Sequence, residues 1–104
     1  MRPVILLTEA AEDIENAKRF YDSTEAGLGD YFSGSIISDL ESLSLFHGIH
    51  AKHFGFHRML ASRFPFGVYY DDATEATRVF AVLDLRREPS WIRAELSGRP
   101  GRVY

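Results

Sequence analysis

The stretch Arg63-Phe64-Pro65-Phe66-Gly67-Val68-Tyr69-Tyr70 decides the fold of this chain. Phe, Val and Tyr suit a pleated, half-buried strand, in which alternate residues starting from Phe66 face one side and those starting from Gly67 face the other. Pro65 cannot donate a ladder hydrogen bond, so we expect it at the first residue of the strand or in the turn before it. The short polar segment 71–75 then predicts a hairpin to the next strand. The stretch is therefore expected to form the centre of an antiparallel sheet.

Strand patterns flank this stretch on both sides. Residues 54–61 place Phe54, Phe56, Arg58 and Leu60 on one face, and residues 79–83 form an apolar run of strand length. Three consecutive strands predict an antiparallel meander. Near the start, residues 2–7 predict a fourth strand, which can pair in parallel because a helix hairpin long enough for a crossover separates it from the rest.

Two helices are predicted between the first strand and the meander. The first begins with Thr8 as its N-cap and ends at Gly27-Leu28-Gly29, with a stripe of Ala10, Ile14, Ala17 and Tyr21. The second runs from about Asp30 to about His47, with a stripe of Phe32, Ile36, Leu40 and Leu43 that Ile37 widens. The sequence therefore predicts an α+β fold in which a helix hairpin packs on one face of a four-stranded, largely antiparallel sheet.

Length and composition predict one domain over residues 1–104, with a frayed end at about 97–104. A chain of 104 residues with 45% hydrophobic content can build one core but not two. Its apolar runs are too short to span a bilayer and no secretory leader is visible, so we expect a cytoplasmic protein without a membrane partner. The lack of cysteine excludes disulfides, thiolate metal sites and a cysteine nucleophile.

Charge is distributed unevenly along the chain. Residues 1–50 hold three basic and nine acidic residues, whereas residues 51–104 hold nine basic and six acidic ones, which gives the net charge of −3. Acidic helices beside an arginine-bearing sheet would give the domain two faces of opposite potential. For any single charge, a solvated surface position is the alternative.

Four histidines crowd into one short segment and raise the question of a metal site: His47, His50, His53 and His57. They span a helix end, a loop and a strand, have no acidic residue among them and match no familiar ligand spacing. We therefore expect polar, partly exposed side chains and no bound metal. The glycine pair at 27 and 29 lies between two helices instead of after a strand, so it does not fit a dinucleotide-binding loop, and no cofactor is expected.

Arginines of the second half are the more informative candidates for a functional site. Arg58 lies within an apolar strand, Arg63 precedes the central strand, and Arg86 and Arg87 follow the last one. If the strands carrying Arg58 and Arg78 flank the central strand, these guanidinium groups converge on one open sheet face, where their planar forks suit a phosphodiester or a carboxylate. The alternative is a structural ion pair for each arginine, which we favour for Arg78.

Several pieces of the sequence together resemble the RelE/ParE toxin superfamily. They are Ala-Glu-Asp-Ile-Glu-x-Ala at 11–17, Phe-Tyr at 20–21, Gly-Leu-Gly-Asp-x-Phe at 27–32, Arg-Phe-Pro-Phe-Gly-Val-Tyr-Tyr at 63–70 and Val-Phe-Ala-Val-Leu-x-x-Arg-Arg-x-Pro at 79–89. The most specific part is the central strand followed, at the family's distance, by the Val-x-Ala-Val strand and its arginines. The resemblance implies the toxin of a type II toxin–antitoxin module, neutralised by a cognate antitoxin that wraps it.

Members of this superfamily act in two ways, since some cleave messenger RNA in the ribosome and the ParE-like branch poisons DNA gyrase. This chain has Asp84 where many members have a histidine, and it lacks the strongly basic, lysine-rich character of the nucleases. Metal-free RNA cleavage needs an acid, a base and cations at the developing phosphorane charge. We therefore prefer a ParE-like gyrase inhibitor, with a RelE-like ribosome-dependent mRNA endonuclease as the alternative.

Candidate site residues differ between the two hypotheses. In the nuclease, the catalytic residues would be Arg58, Arg63 and Arg87. In the gyrase inhibitor, the target-binding residues would be Arg58, Arg86, Arg87 and Trp91, the last as an aromatic anchor. In both cases we expect the antitoxin to bind the sheet face opposite the helix hairpin, either exposed or beneath a small third helix, at Tyr69, Phe80 and Val82. Toxin and antitoxin would then form a hetero-oligomer.

Overall fold

In the computed structural model, which describes residues 1–100, the chain forms three helices and a five-stranded sheet. The elements in chain order are β1 (Val4–Leu6), α1 (Thr8–Thr24), α2 (Leu28–Phe46), β2 (Lys52–His53), β3 (Phe56–Leu60), β4 (Phe66–Asp72), β5 (Thr77–Asp84) and α3 (Pro89–Ser97). The sheet order is β1-β5-β4-β3-β2, with β1 parallel to β5 and every other neighbouring pair antiparallel. The predicted α+β class and meander are confirmed. The sheet is mixed, and it gains a fifth strand over these residues because β2 forms a two-residue edge.

The central strand β4 alternates as predicted. Phe66, Val68 and Tyr70 belong to the core beneath α1 and α2, whereas Tyr69 belongs to a second core on the opposite face. Pro65 directly precedes the strand, where its missing N–H costs no ladder bond. A bulge at Tyr69 and Tyr70 shifts the register with β5. Bulges of this kind increase the local twist of a sheet.

The two long helices pack on one sheet face through the stripes that the sequence predicts. Their members in this core are Ala10, Ile14, Ala17, Tyr21, Phe32, Ile36, Leu40 and Leu43. Ile37 does not widen the α2 stripe as predicted, since its side chain is 53% exposed. One residue beyond Ile36 turns the side chain by about 100° around the helix axis, which carries it away from the sheet.

The helix ends differ from the sequence prediction by a few residues. α1 begins at Thr8 itself, with Leu7 as the capping residue and no side-chain cap, so the prediction of Thr8 as N-cap is wrong. α1 ends at Thr24, and Gly27 caps the start of α2 with a φ of +87°. This left-handed conformation favours glycine, which allows the chain to reverse within residues 25–27.

A third helix covers the other face of the sheet. α3 begins with Pro89, whose fixed φ suits a first helical turn. Its residues Ile92 and Leu96 pack in the second core with Tyr69 and Phe80. The prediction that the helices pack on one face of the sheet is therefore correct for α1 and α2, whereas α3 packs on the other face. No helix within residues 1–100 is long and apolar enough to cross a membrane.

Arg99, just after α3, contacts two helices. It is 5% exposed, and its guanidinium bonds to Asp13 of α1 and Glu95 of α3. The end predicted to fray, at about 97–104, thus includes the last residue of α3 and a buried ion pair. The rest of the predicted tail, residues 101–104, lies outside the described residues.

Candidate functional site

A cleft of about 440 Å³ opens between α1 and α3 at the end of β5. Within the described residues, β1 pairs only with Thr77 to Val79, so the outer edge of β5 beyond them has no neighbouring strand. The helices flank this edge, and the lining of the cleft includes Phe20, Leu83 and Trp91. We call this surface the β5 cleft. Its volume lies within the usual range of ligand pockets.

A buried ion pair closes the inner end of the β5 cleft. Arg99 Nη1 lies 2.9 Å from Asp13 Oδ2, and the two side chains are 6% and 15% exposed. The same carboxylate oxygen accepts a 2.9 Å hydrogen bond from the Val82 N–H, and Arg99 also donates to the Phe80 carbonyl. Burial raises the pKa of Asp13, although Arg99 and the Val82 N–H lower it in part. Two side chains thus bond to one N–H and one carbonyl on the edge of β5 that no strand covers.

The two arginines after β5 have different environments at the cleft. Arg86 donates to both carboxylate oxygens of Asp84, and this guanidinium holds the pKa of Asp84 below its usual range. Arg87 stacks on Trp91, with its guanidinium carbon 3.8 Å from the ring centroid. Among residues 1–100, no carboxylate forms an ion pair with Arg87. The fold therefore brings the predicted target-binding residues Arg87 and Trp91 together, and it neutralises Arg86.

Arg58 lies beside Tyr69, its direct cross-strand neighbour on the face that α3 covers. Gly67 leaves room for both, because an added Cβ there would lie 3.2 Å from each side chain and 3.0 Å from Leu85. Neither Arg58 Nε nor the Tyr69 hydroxyl has a hydrogen-bond partner within residues 1–100. Burial raises the pKa of Tyr69, and the Arg58 guanidinium offsets this only in part. The phenol is buried and neutral, which makes it a poor catalytic base.

The remaining candidate arginines lie elsewhere. Arg63 donates to the Tyr31 hydroxyl on α2, and Arg78 forms an ion pair with Asp71, as the sequence favoured. The three arginines of the nuclease hypothesis therefore contact three different partners. Arg58 and Arg78 do share a sheet face, since β3 and β5 flank β4 and Arg78 stacks on Phe80. That face is not open, because α3 packs on it, and Arg63 and Arg87 contact other partners.

The predicted antitoxin-binding residues are buried. Tyr69 and Phe80 are 0% and 1% exposed in the core beneath α3, and Val82 is 2% exposed in the opposite core. Phe80 also lines a second pocket, beside Leu7 and Arg99, and Val82 lines the β5 cleft. Tyr69 lines neither of these two pockets.

The histidine-rich segment ties the end of α2 to the sheet. His47 Nδ1 lies 3.0 Å from both carboxylate oxygens of Asp72. The Gly48 N–H donates to the Tyr70 hydroxyl, which in turn donates to His50 Nδ1. Burial lowers the pKa of His50, in keeping with a neutral ring that accepts this bond. Residues 1–100 contain no group of three or more side chains placed to hold a metal ion.

The carboxylate of Asp72 gives this connection a pH dependence. Burial raises its pKa, but the hydrogen bond from His47 and the charge of Arg2 lower it overall. A folded-state pKa below the unfolded value stabilises the fold above that value, and the contribution is lost as the pH falls through the folded-state pKa. We expect Asp72→Asn to lower the free energy of unfolding by about 1 kcal/mol near neutral pH and to change nothing in strong acid. Urea unfolding near neutral pH and in strong acid measures this difference. An equal loss of unfolding free energy under both conditions would contradict the prediction.

Sequence reasoning overlooked the α1 side of the β5 cleft. Asp13, Asn16 and Phe20 recur at spacings of three and four along α1, and all three line the cleft. Their helical spacing beside the apolar stripe indicates that these three side chains share one side of α1, and this pattern could have been read from the sequence. Arg99 offered no such signal, since an arginine in a Gly/Pro/Arg-rich end is typical of a solvated tail.

The fold is shared with a solved structure. A chain of the structure described as "Chromosomal ParDE TA system from P. aeruginosa" matches with a TM-score of 0.73 at 13% sequence identity, over 82% of this chain and 97% of that chain. No family model matches the sequence, and no curated protein does. The structural match shows that the two chains share their fold.

Proposed function

We propose that this protein is the cytoplasmic toxin of a type II toxin–antitoxin module and that it acts as a ParE-like inhibitor of DNA gyrase. The observation that carries the proposal is the fold shared, at a TM-score of 0.73, with a chain of a ParDE TA system. The sequence of the central strand, and of β5 with its two arginines, supports the same assignment. Because the match is one of fold, the target has to be argued from the site.

The geometry of the site favours a protein target over RNA cleavage. A metal-free ribonuclease needs an acid and a base at one phosphodiester, and the phenol beside Arg58 is buried with a raised pKa. Arg63 and Arg87 contact Tyr31 and Trp91 instead of joining Arg58. An accessible arginine stacked on a tryptophan is the kind of pair that anchors protein interfaces.

We further propose a cognate antitoxin as the partner that holds the toxin inactive in a hetero-oligomer. Val82 lines the β5 cleft, whereas Tyr69 and Phe80 lie in the core beneath α3. An antitoxin segment that contacts Val82 enters the cleft, and contact with the fully buried Tyr69 requires α3 to lift from the sheet. We expect a stable complex of this kind to bury roughly 1,600 Å² or more.

Controlled expression of the chain in bacterial cells tests the proposed function. We expect growth arrest with gyrase-trapped DNA breaks and intact messenger RNA, and relief of the arrest when a small protein from a neighbouring reading frame is co-expressed. Ribosome-dependent message cleavage with intact DNA would refute the gyrase assignment and favour the RelE-like endonuclease. Normal growth at high expression without a partner would refute the toxin assignment itself.

A further inference from the structure

The side chain of Arg87 is free to bind an anion at the β5 cleft. Its neighbour Arg86 is already paired with Asp84, whereas Arg87 has no hydrogen bond or ion pair through its side chain within residues 1–100. The Trp91 ring occupies one face of the Arg87 guanidinium, and stacking of this kind leaves the in-plane N–H donors available. Those donors form a fork that matches a carboxylate or a pair of phosphate oxygens.

The other charges of the cleft discriminate between these two anions. Carboxylates of Asp13, Asp84 and Glu95 line the same surface, and each is paired with Arg99 or Arg86. Among residues 1–100, these pairs leave Arg87 as the lining cation without a carboxylate partner, whereas a nucleic acid brings one phosphate charge for about every 1.7 Å of duplex axis. A single carboxylate can bond to Arg87 and leave the rest of the cleft to neutral groups. The charge pattern therefore suits an isolated carboxylate better than a polyphosphate.

The aromatic and aliphatic side chains in the walls of the cleft favour a ligand with apolar groups beside that carboxylate. Phe20 is 61% exposed, and Tyr21, Leu83 and Trp91 line the same surface. Covering exposed aromatic rings with apolar groups is favourable, since each ring carries a large apolar area. An apolar segment that bears one acidic group meets both requirements at once.

We propose that the β5 cleft is the docking site for a segment of the toxin's protein target in which one carboxylate is flanked by apolar side chains. The carboxylate bonds to the Arg87 fork, and its apolar neighbours cover Phe20 and Trp91. That the partner is the toxin's target rests on the proposed function, whereas the ligand chemistry rests on the cleft alone.

Intrinsic fluorescence tests the ligand chemistry, because Trp91 is the only tryptophan of the chain. The probes are 3-phenylpropionate, its uncharged analogue 3-phenylpropanamide, inorganic phosphate and a short mixed-sequence RNA. We expect 3-phenylpropionate to bind with a Kd on the order of 1 mM, as for a small ligand of ordinary efficiency. The amide should bind about tenfold more weakly, because it loses the charge-assisted bonds to Arg87.

Three variants separate the contribution of the Arg87 guanidinium from that of the apolar walls. Arg87→Gln should weaken the acid about tenfold and leave the amide unchanged. Arg93→Gln is the matched control, because Arg93 lies on α3, the helix of Trp91, and stacks on Phe54 without lining the cleft; it should keep both affinities within about twofold. Phe20→Ser should weaken acid and amide alike. Each variant is first checked for native circular dichroism.

The opposite results are equally well defined. The docking site is overturned if acid and amide bind equally, if both arginine variants lose the same affinity, if phosphate or RNA binds more tightly than the acid, or if the acid gives no saturable signal. Failure of the proposed function is a separate result. A chain that binds the acid through Arg87 but neither arrests growth nor traps gyrase would keep this docking site and lose its assigned target.

Discussion

Replacement of Asp13 by alanine is expected to lower the free energy of unfolding by about 3 kcal/mol, the lower end of the range for breaking a buried ion pair. The Arg99 side chain is 6% exposed, so its charge would stay buried, with Glu95, 3.1 Å away, as the remaining carboxylate partner within residues 1–100. The Val82 N–H would also lose its acceptor. Domains are typically stable by about 5 to 15 kcal/mol, so urea unfolding should show a large shift of the midpoint.

Two further variants separate charge from hydrogen bonding at this ion pair. Asp13→Asn keeps an acceptor for the Val82 N–H, and burial raises the pKa of Asp13. The surroundings therefore disfavour the charged carboxylate, and the amide should cost less stability than alanine. Glu15→Ala, at an exposed position of the same helix, should change the free energy of unfolding by less than about 0.5 kcal/mol. A loss from Asp13→Ala no larger than in this control would refute the role assigned to the pair.

Local periodicity predicts most of the fold because each pattern has one geometric meaning. Alternation in residues 63–70 assigns the two faces of β4, since the pleat fixes side-chain direction once the strand is known. The stripe on α2 is equally direct, yet Ile37 shows its limit. The apolar character of Ile37 favoured burial. Its position around the helix axis points it away from the sheet, and the sequence alone does not define where the sheet lies, so its 53% exposure could not be predicted.

The candidate site was only partly predictable, for reasons of sequence separation. Arg87 and Trp91 are only four residues apart, and the short turn between β5 and α3 brings Arg87 back over the ring in the first turn of α3. Asp13 and Arg99 are separated by 86 residues, and no local pattern links them. Arg58 lies beside Tyr69 because of the strand register, which the hairpin predicts. The burial of this pair depends on α3, a helix from another part of the chain.

Trp91→Ala is expected to weaken binding to the proposed protein target by about 2 to 4 kcal/mol, on the order of 30- to 1,000-fold. The side chain both lines the β5 cleft and supports the Arg87 guanidinium, so its loss removes an apolar wall and releases a positioned cation. The measurement is the expression level needed for growth arrest, with gyrase-trapped DNA breaks scored in the same cultures. Trp91→Phe keeps a ring for stacking and should retain most of the toxicity.

The arginine variants distinguish the two mechanisms of toxicity. On a protein target, Arg87→Ala and Arg58→Ala should do less harm than Trp91→Ala, because Arg87 contributes at the rim of the anchor and Arg58 lies beside Tyr69 under α3. In RNA cleavage, loss of an arginine that stabilises the transition state would cost about 3 kcal/mol, or roughly a hundredfold in rate. Circular dichroism confirms folding of each variant before toxicity is compared. Message cleavage that vanishes in Arg87→Ala and persists in Trp91→Ala, with intact DNA, would refute the gyrase mechanism, because an aromatic anchor matters for docking whereas a guanidinium matters for phosphorane charge.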